Sequence, residues 1–164
     1  MIKETCTDYD GNVSVYEYDE NGNLFKETRT ESDGSGYVSE YEYDENDNLI
    51  KETYTHSDGS IDVYKYEYDE NDNLIKQTCT YSDGSVTVLE YDGNGNLVKE
   101  TCTEADGSVE VWEYDEDGHV IKQTRTDSEG GVDVWEYEYD ENGNLIKETY
   151  TDSDGNVVVT DYNQ

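Results

Sequence analysis

The sequence predicts an all-β protein: an antiparallel meander of about 14 strands, made from seven tandem hairpin repeats of 23 to 25 residues and folded as a curled or spiral sheet. Three observations carry this. Tyr-Asp recurs at Tyr18, Tyr43, Tyr68, Tyr91, Tyr114 and Tyr139, with a degenerate Tyr162-Asn163 at the end, at spacings of 25, 25, 23, 23, 25 and 23. Each period holds two turn signals, an Asn-Gly (or a variant such as Asn46-Asp47 or Asp117-Gly118) and an Asp-Gly in runs like Ser82 to Ser85. The segments between them draw on 17 Tyr, 16 Thr and 15 Val, with no Pro to break a ladder.

Composition alone argues the other way. Ten Lys+Arg against 43 Asp+Glu give a formal charge of −33 and a pI near 4.1, and Leu, Ile, Val and Phe make up about 17% of the chain. That combination is typical of disorder, so order must come from pattern.

In chain order, Met1 to Thr7 already carries the Thr-x-Thr strand of the repeat, and each Asp-Gly then leads to a strand ending at Tyr-Asp. The clearest pair of strands is Leu74 to Thr80, after an Asn-type turn, and Val86 to Tyr91, after Asp-Gly. Two-residue turns of type I′ fit both signals. A turn of that kind at Asn21-Gly22 places Glu17 opposite Lys26 and Tyr18 opposite Phe25. The same rule gives Glu42 with Lys51, Glu67 with Lys76, Glu90 with Lys99, Glu113 with Lys122 and Glu138 with Lys147, every pair of opposite charge. It also gives Tyr43 with Ile50, Tyr68 with Ile75, Tyr91 with Val98, Tyr114 with Ile121 and Tyr139 with Ile146. Repeat lengths differ by two residues between Asp-Gly and Tyr-Asp, and an insertion of two leaves every side chain on its own face.

One face therefore collects the aromatic columns, Tyr16 and Tyr18, Tyr41 and Tyr43, Tyr66 and Tyr68, Tyr91, Trp112 and Tyr114, and Trp135, Tyr137 and Tyr139. This face is expected to be the better buried one and to supply the contact or core aromatics. The other carries Val13, Val15, Val86, Val88, Val109 and Val111 with the Thr and Lys-Glu rows. The whole of residues 1–164 reads as a single repeat domain, with no separate linker.

The phrase Asp10-Gly11, then Tyr16-Glu17-Tyr18-Asp19-Glu20-Asn21-Gly22-Asn23-Leu24, then Thr28 resembles the YD repeats, also called RHS repeats, and the resemblance covers about Thr5 to Tyr162. Departures are Asn46-Asp47 and Asn71-Asp72 for Asn-Gly, His119-Val120 for Asn-Leu, and Glu129-Gly130 for Asp-Gly. The resemblance implies a β-sheet spiral that, in larger members, forms a shell or stalk around a toxin or adhesive partner. It implies a scaffold with no catalytic residue.

The chemistry in the residues agrees with a non-enzymatic reading. His56 and His119 sit in or beside turns, and no Ser or Cys nucleophile is placed with either. Cys6, Cys79 and Cys102 share the x of Thr-x-Thr; Cys79 and Cys102 lie on equivalent strands one repeat apart, which holds their Cα atoms about 9.5 Å apart, beyond disulfide reach, so three unpaired thiols are expected. No cofactor is expected. Calcium is the one metal with a partial pattern: Asp44, Asn46 and Asn48, and Asp69, Asn71 and Asn73, place oxygens at alternate positions, but Gly at position 6 and Glu at position 12 of a calcium loop are missing.

The expected role is a repeat scaffold that presents an acidic surface and aromatic columns to a protein or glycan. The alternative is an acidic mimic of nucleic acid that inhibits a DNA- or RNA-binding protein; a calcium-stabilised extracellular adhesin segment is the third reading. At this charge no direct nucleic-acid partner is expected, and no stretch is apolar enough for a membrane span. The chain is expected to be mostly monomeric with some head-to-tail association. Unpaired thiols and a start without a signal peptide's apolar run favour the cytoplasm slightly, and an extracellular or cell-surface setting follows if the chain belongs to a larger protein of this kind.

Overall fold

The computed structural model describes residues 1–162; Asn163, the second half of the degenerate Tyr-Asn pair, lies outside them. Fourteen strands run β1 (Ile2–Thr7), β2 (Val13–Tyr18), β3 (Leu24–Thr30), β4 (Gly36–Tyr43), β5 (Leu49–His56), β6 (Ile61–Tyr68), β7 (Leu74–Thr80), β8 (Val86–Tyr91), β9 (Leu97–Thr103), β10 (Val109–Tyr114), β11 (Val120–Thr126), β12 (Val132–Tyr139), β13 (Leu145–Thr151) and β14 (Val157–Asp161). They pair in chain order as one sheet, and among the described residues nothing joins β14 to β1. The predicted meander is therefore present, and it is open. Two compact units make it up: Met1–Glu67 with Thr78–Ser82, and Tyr68–Gln77 with the chain from Asp83 onward. Among the described residues no helix is long and apolar enough to cross a membrane.

The turns differ from the expected two-residue form. In Asp19-Glu20-Asn21-Gly22-Asn23, Asp19 N–H donates to the Asn23 carbonyl at 2.9 Å and Gly22 N–H donates back to the Asp19 carbonyl at 3.4 Å. That is a type I turn followed by a left-handed glycine, φ 96°, a three-residue loop in place of a two-residue one. Its advantage is conformational: type I′ needs two residues at positive φ, and this loop needs one. The same closure recurs at Asp8–Asn12, Glu31–Ser35, Asp92–Asn96, Glu104–Ser108 and Asp152–Asn156.

An odd loop would shift every pair by one, yet Glu17 with Lys26, Glu42 with Lys51, Glu90 with Lys99, Glu113 with Lys122 and Glu138 with Lys147 all face each other as expected. A β-bulge restores the count. Tyr18 pairs with Leu24 rather than Phe25, Tyr43 with Leu49 rather than Ile50, Tyr91 with Leu97 rather than Val98, Tyr114 with Val120 rather than Ile121, and Tyr139 with Leu145 rather than Ile146. Phe25, Ile50, Val98, Ile121 and Ile146 are thus the extra residues of the bulges, and the expected aromatic–aliphatic pairs do not form. Val98 and Ile121 are left 36% and 38% exposed, so this row is not the buried one anticipated. The Asp-Gly hairpins need no bulge: Thr7 pairs Val13 and Cys6 pairs Ser14 in step with the loop.

Two loops put a non-glycine residue in the left-handed position: Asp47 at φ 65° and Asp72 at φ 62°. Asp tolerates this conformation better than most residues, but glycine holds it without Cβ strain. Asp47→Gly and Asp72→Gly are each expected to stabilise the protein by about 0.5–1 kcal/mol. At Asp47 the gain is reduced by loss of the exposed bond from Asn23 Nδ2, 2.6 Å. Urea melts of the two variants check this; a fall in either midpoint would refute it.

On the Glu-Lys face, lysines stand between carboxylates of both neighbouring strands. Lys26 lies between Glu17 and Glu40, Lys99 between Glu90 and Glu113, Lys122 between Glu113 and Glu136, and Lys147 between Glu138 and Asp161. Lys51 breaks the rule, with Glu42 on one side (2.6 Å) and Lys65 on the other. Such exposed pairs contribute roughly 0.2–1 kcal/mol each, enough to fix register against a slip but too little to act as a core.

Candidate functional site

Burial identifies the face worth examining. Along β12, Trp135, Tyr137 and Tyr139 are partly buried while Glu136 and Glu138 between them are exposed, and β4 and β6 repeat the alternation. Cys79 and Ser39, exposed by 5% and 2%, are the buried residues among those described, and both project to the aromatic side. The aromatic face is therefore the better covered one, as expected, although its rings remain part-exposed. A small side chain is packed where large rings crowd on either side.

The loops that end these columns obey a rule of two forms. Where Asp opens the loop, Asn closes it except after Asp115, where His119 does, and after Asp127, where Gly131 does: Asp140 Oδ1 accepts Asn142 N–H (2.9 Å) and Asn144 N–H (2.9 Å), and Asn144 Nδ2 donates to Oδ2 at 3.0 Å. Where Glu, His or Tyr81 opens the loop, Asp moves to the third position and Ser closes it: Asp33 Oδ1 accepts Ser35 N–H at 2.9 Å and Ser35 Oγ–H at 2.6 Å. Hydrogen bonds from the closing Asn hold Asp8, Asp44, Asp69, Asp92, Asp140 and Asp152 below the ordinary aspartate value of 3.8. Those from the closing Ser do the same for Asp33, Asp58, Asp83 and Asp106. Asp44 and Asp69, two of the six residues in the partial calcium pattern, spend their carboxylate oxygens on this closure, taking Asn46 and Asn48, and Asn71 and Asn73.

The signature tyrosines acquire a role that the bulge creates. Tyr43 Oη–H donates to the Leu24 carbonyl at 2.9 Å, and Tyr139 Oη–H to the Val120 carbonyl at 2.8 Å, each reaching the bulged turn of the preceding repeat. A second series binds Tyr114 to Glu100 (3.2 Å), Tyr137 to Gln123 (3.3 Å) and Tyr162 to Glu148 (3.0 Å). Hydroxyls thus tie one repeat to the one before. Tyr139→Phe is expected to cost about 0.5–1.5 kcal/mol by leaving the Val120 carbonyl without this donor, measured as a fall in the urea midpoint. An unchanged midpoint would remove the inter-repeat role.

All the sequence-selected aromatics lie on even-numbered strands: Tyr16 and Tyr18 on β2, Tyr41 and Tyr43 on β4, Tyr66 and Tyr68 on β6, Tyr91 on β8, Trp112 and Tyr114 on β10, and Trp135, Tyr137 and Tyr139 on β12. The structure adds rings from odd strands that sequence reasoning passed over. Tyr150 stacks on Trp135 with centroids 5.0 Å apart, and Tyr54 stacks on Tyr37 at 4.9 Å. The signal was register: Tyr150 stands directly opposite Trp135, and the x of Thr-x-Thr always points to the aromatic side.

Two patches result. In the first unit, Tyr37, Tyr54 and His56 touch in sequence, His56 meeting Tyr54 edge-on at 4.6 Å. His56 Nε2 lies 2.8 Å from Asp62 Oδ2, and Asp62 Oδ1 accepts Ser82 N–H at 2.9 Å. Tyr37 Oη–H donates to Glu27 at 2.8 Å, and burial, together with that bond, pushes the phenol up to about 12. In the second unit, Tyr150 Oη–H donates to Asp133 at 3.2 Å beside the Trp135 stack, and His119 stacks on Tyr139 at 4.6 Å.

Metal-ligand types converge at Asp115, Asp117 and His119, whose ligand atoms lie within 4.8 Å of one another in one loop. Loop closure accounts for much of this, since Asp115 accepts Asp117 N–H, His119 N–H and contacts His119 Nδ1. The cysteines are not in disulfides, with Cys6 exposed, Cys79 buried and Cys102 intermediate, and burial pushes the Cys102 thiol up, away from nucleophilic use.

The sheet of hairpins with Tyr-Asp at each bulged turn defines a β-repeat array. The chain belongs to the RHS repeat family, whose sequence profile, RHS Repeat, matches at residues 68–109, 91–132 and 114–157. No curated protein matches it. Among solved structures it is similar to the Tc holotoxin pore of Photorhabdus luminescens, at 18% identity and a TM-score of 0.36 over 94% of this chain and 10% of that one. It is also similar to a TcdB2-TccC3 crystal structure, at 14% identity and a TM-score of 0.28 over 87% of this chain and 11% of the other. A porin-like protein from Bacteroides uniformis is 11% identical, with a TM-score of 0.37 over 96% and 91% of the two chains. The chain spans about a tenth of the length of the toxin chains it matches.

Proposed function

We propose that the chain is a non-enzymatic repeat scaffold whose aromatic face engages a protein or glycan partner. The observation that carries this is the fixing of part-exposed rings: stacking pins Trp135 on Tyr150 and Tyr37 on Tyr54, and hydrogen bonds hold the hydroxyls of Tyr37, Tyr114 and Tyr137. Rings ordered before contact lose little entropy on binding, and their faces suit both sugar rings and apolar side chains. Membership of a structural repeat family supports the same reading. The acidic-mimic reading draws less support, because the lysine row interrupts the carboxylates on the opposite face and many loop carboxylates turn inward to backbone N–H groups.

The test is a glycan array together with an immobilised panel of basic and neutral proteins, run on the intact chain and on Trp135→Leu and Tyr37→Leu. Binding lost in either variant, with the far-ultraviolet spectrum and melt retained, is the expected result. Binding confined to basic proteins, abolished by raised salt and indifferent to both substitutions would overturn it in favour of mimicry.

A further inference from the structure

We infer that Asn21 is a modification site: among the Asn-Gly loops, its closure is the one that leaves the pair open to conversion into aspartyl and isoaspartyl forms, the latter a substrate for carboxyl methyltransferases that use S-adenosylmethionine. The chain holds its own control. Asp19-Glu20-Asn21-Gly22-Asn23-Leu24 and Asp140-Glu141-Asn142-Gly143-Asn144-Leu145 are the same six residues, and Asn94-Gly95-Asn96-Leu97 repeats the reacting part. What separates them is how each loop is held.

The chemistry needs a free glycine amide. The Gly22 nitrogen gives its proton to a base and attacks Cγ of Asn21; the Cγ–Nδ2 bond breaks, ammonia leaves and a cyclic imide remains. Water then opens the imide at either carbonyl, giving aspartate or isoaspartate with no change of oxidation state. Glycine favours the attack because no side chain crowds its nitrogen. An N–H held in a good hydrogen bond resists it, because that bond must open first. In the Asn46-Asp47 and Asn71-Asp72 loops the attacking amide belongs to an aspartate, whose side chain crowds it and whose charge opposes its deprotonation.

Three observations single out Asn21, whose side chain is exposed. Gly95 N–H and Gly143 N–H donate to the Asp92 and Asp140 carbonyls at 3.0 Å, whereas Gly22 N–H lies 3.4 Å from the Asp19 carbonyl, beyond the usual range. Asn96 Nδ2 and Asn144 Nδ2 each donate at 3.0 Å to the aspartate that opens their own loop. Asn23 Nδ2 donates outward instead, to Asp47 Oδ1 at 2.6 Å, which draws the closing side chain away from its loop. His119 covers the Gly143 backbone, its Nε2 standing 2.9 Å from where a Cβ on that glycine would sit, while Gly22 meets open space at the same point. Conversion adds a carboxylate to a loop that already holds Asp19 and Glu20, and isoaspartate lengthens its backbone by one methylene.

The test incubates the intact protein in warm, mildly alkaline buffer and follows each site with time. Cleavage after lysine puts Asn21, Asn94 and Asn142 in separate peptides, Glu4–Lys26, Gln77–Lys99 and Gln123–Lys147, which mass and fragmentation resolve. Methyl transfer from S-adenosylmethionine by a protein-isoaspartate methyltransferase reports the isoaspartyl product. Asn21 is expected to convert roughly fivefold faster than Asn94 and Asn142, the factor that one average hydrogen bond supplies. In urea the Asn21 and Asn142 rates are expected to converge, because their local sequences are the same. Asp47→Gly, which frees Asn23 Nδ2 to turn back to Asp19, is expected to slow Asn21 towards the Asn142 rate, with a far-ultraviolet spectrum matching the parent to show that the variant is folded. Equal rates at Asn21 and Asn142 in the folded protein, a difference that persists in urea, or an Asn21 rate that Asp47→Gly leaves unchanged would each overturn the inference.

Discussion

Above pH 10 the protein is expected to keep seven part-buried tyrosines protonated beyond the normal range, then lose them together as the sheet opens. Burial, as the first cause, raises Tyr37, Tyr41, Tyr43, Tyr64, Tyr114, Tyr137 and Tyr139 above the usual 10.0, and Tyr37 reaches about 12. A phenol whose folded value is raised contributes stability that is complete below 10 and drains away as pH rises towards the folded value. Each ionised phenolate also adds to the net charge of −33, so the loss feeds itself. Tyrosinate absorbance should therefore lag the curve for free tyrosine and rise in one step with loss of the β spectrum. The acid side has the opposite sign. The loop aspartates lie below 3.8, so their contribution is present above that value and is lost as pH falls through the folded values; acid unfolding is expected at a pH below 3.8. Glu52, raised by burial and by Glu27, favours the folded state slightly as pH drops towards that limit. A tyrosine titration superimposable on that of the urea-unfolded chain would refute the alkaline half.

Gly36→Ala is expected to be the most damaging single-methyl change in the sheet. A Cβ at this position would overlap the Arg29 carbonyl oxygen and stand 3.1 Å from Thr30 Cα, so β3 and β4 must separate where Thr30 faces Gly36. The atoms it meets are backbone and cannot swing aside. Overpacking of this kind costs about 1–3 kcal/mol. The next residue, Tyr37, carries the stack on Tyr54 and the bond to Glu27, so the near-ultraviolet signal of that patch should weaken with the melt. Val132→Ala, at the equivalent position in another repeat and 40% exposed, is the control and should change stability by less than about 0.5 kcal/mol. Equal urea midpoints for the two variants would refute the argument.

Much of the architecture was readable because repetition tests each inference several times over. Glu17 with Lys26 could be chance, but the same charge pairing at Glu42, Glu90, Glu113 and Glu138 could not, and the structure keeps those pairs. The turn itself was misread, because a two-residue turn and a three-residue loop plus bulge give those lysines the same partners. The difference shows at residues such as Tyr18 and Leu24, next to the loop, where sequence carries no charge signal. The loop rule was legible but unread: Asp140 with Asn144, and Asp33 with Ser35, recur in step along the chain. The reach of Tyr139 to the Val120 carbonyl was not legible, since it depends on the bulge. Of the candidate contacts, the even-strand rings were found from spacing, whereas Tyr54 and Tyr150 needed the cross-strand register.

The strict chain order of the strands also sets how the protein answers force. Its two chain ends belong to opposite ends of the hydrogen-bonding order, so tension between them acts on an outermost strand at a time rather than shearing many bonds at once. Such a ladder opens as a zipper, at low load, releasing roughly 8 nm of chain with each repeat of 25 residues. The tyrosine bonds between repeats, such as that from Tyr139 to the Val120 carbonyl, would then break one repeat at a time.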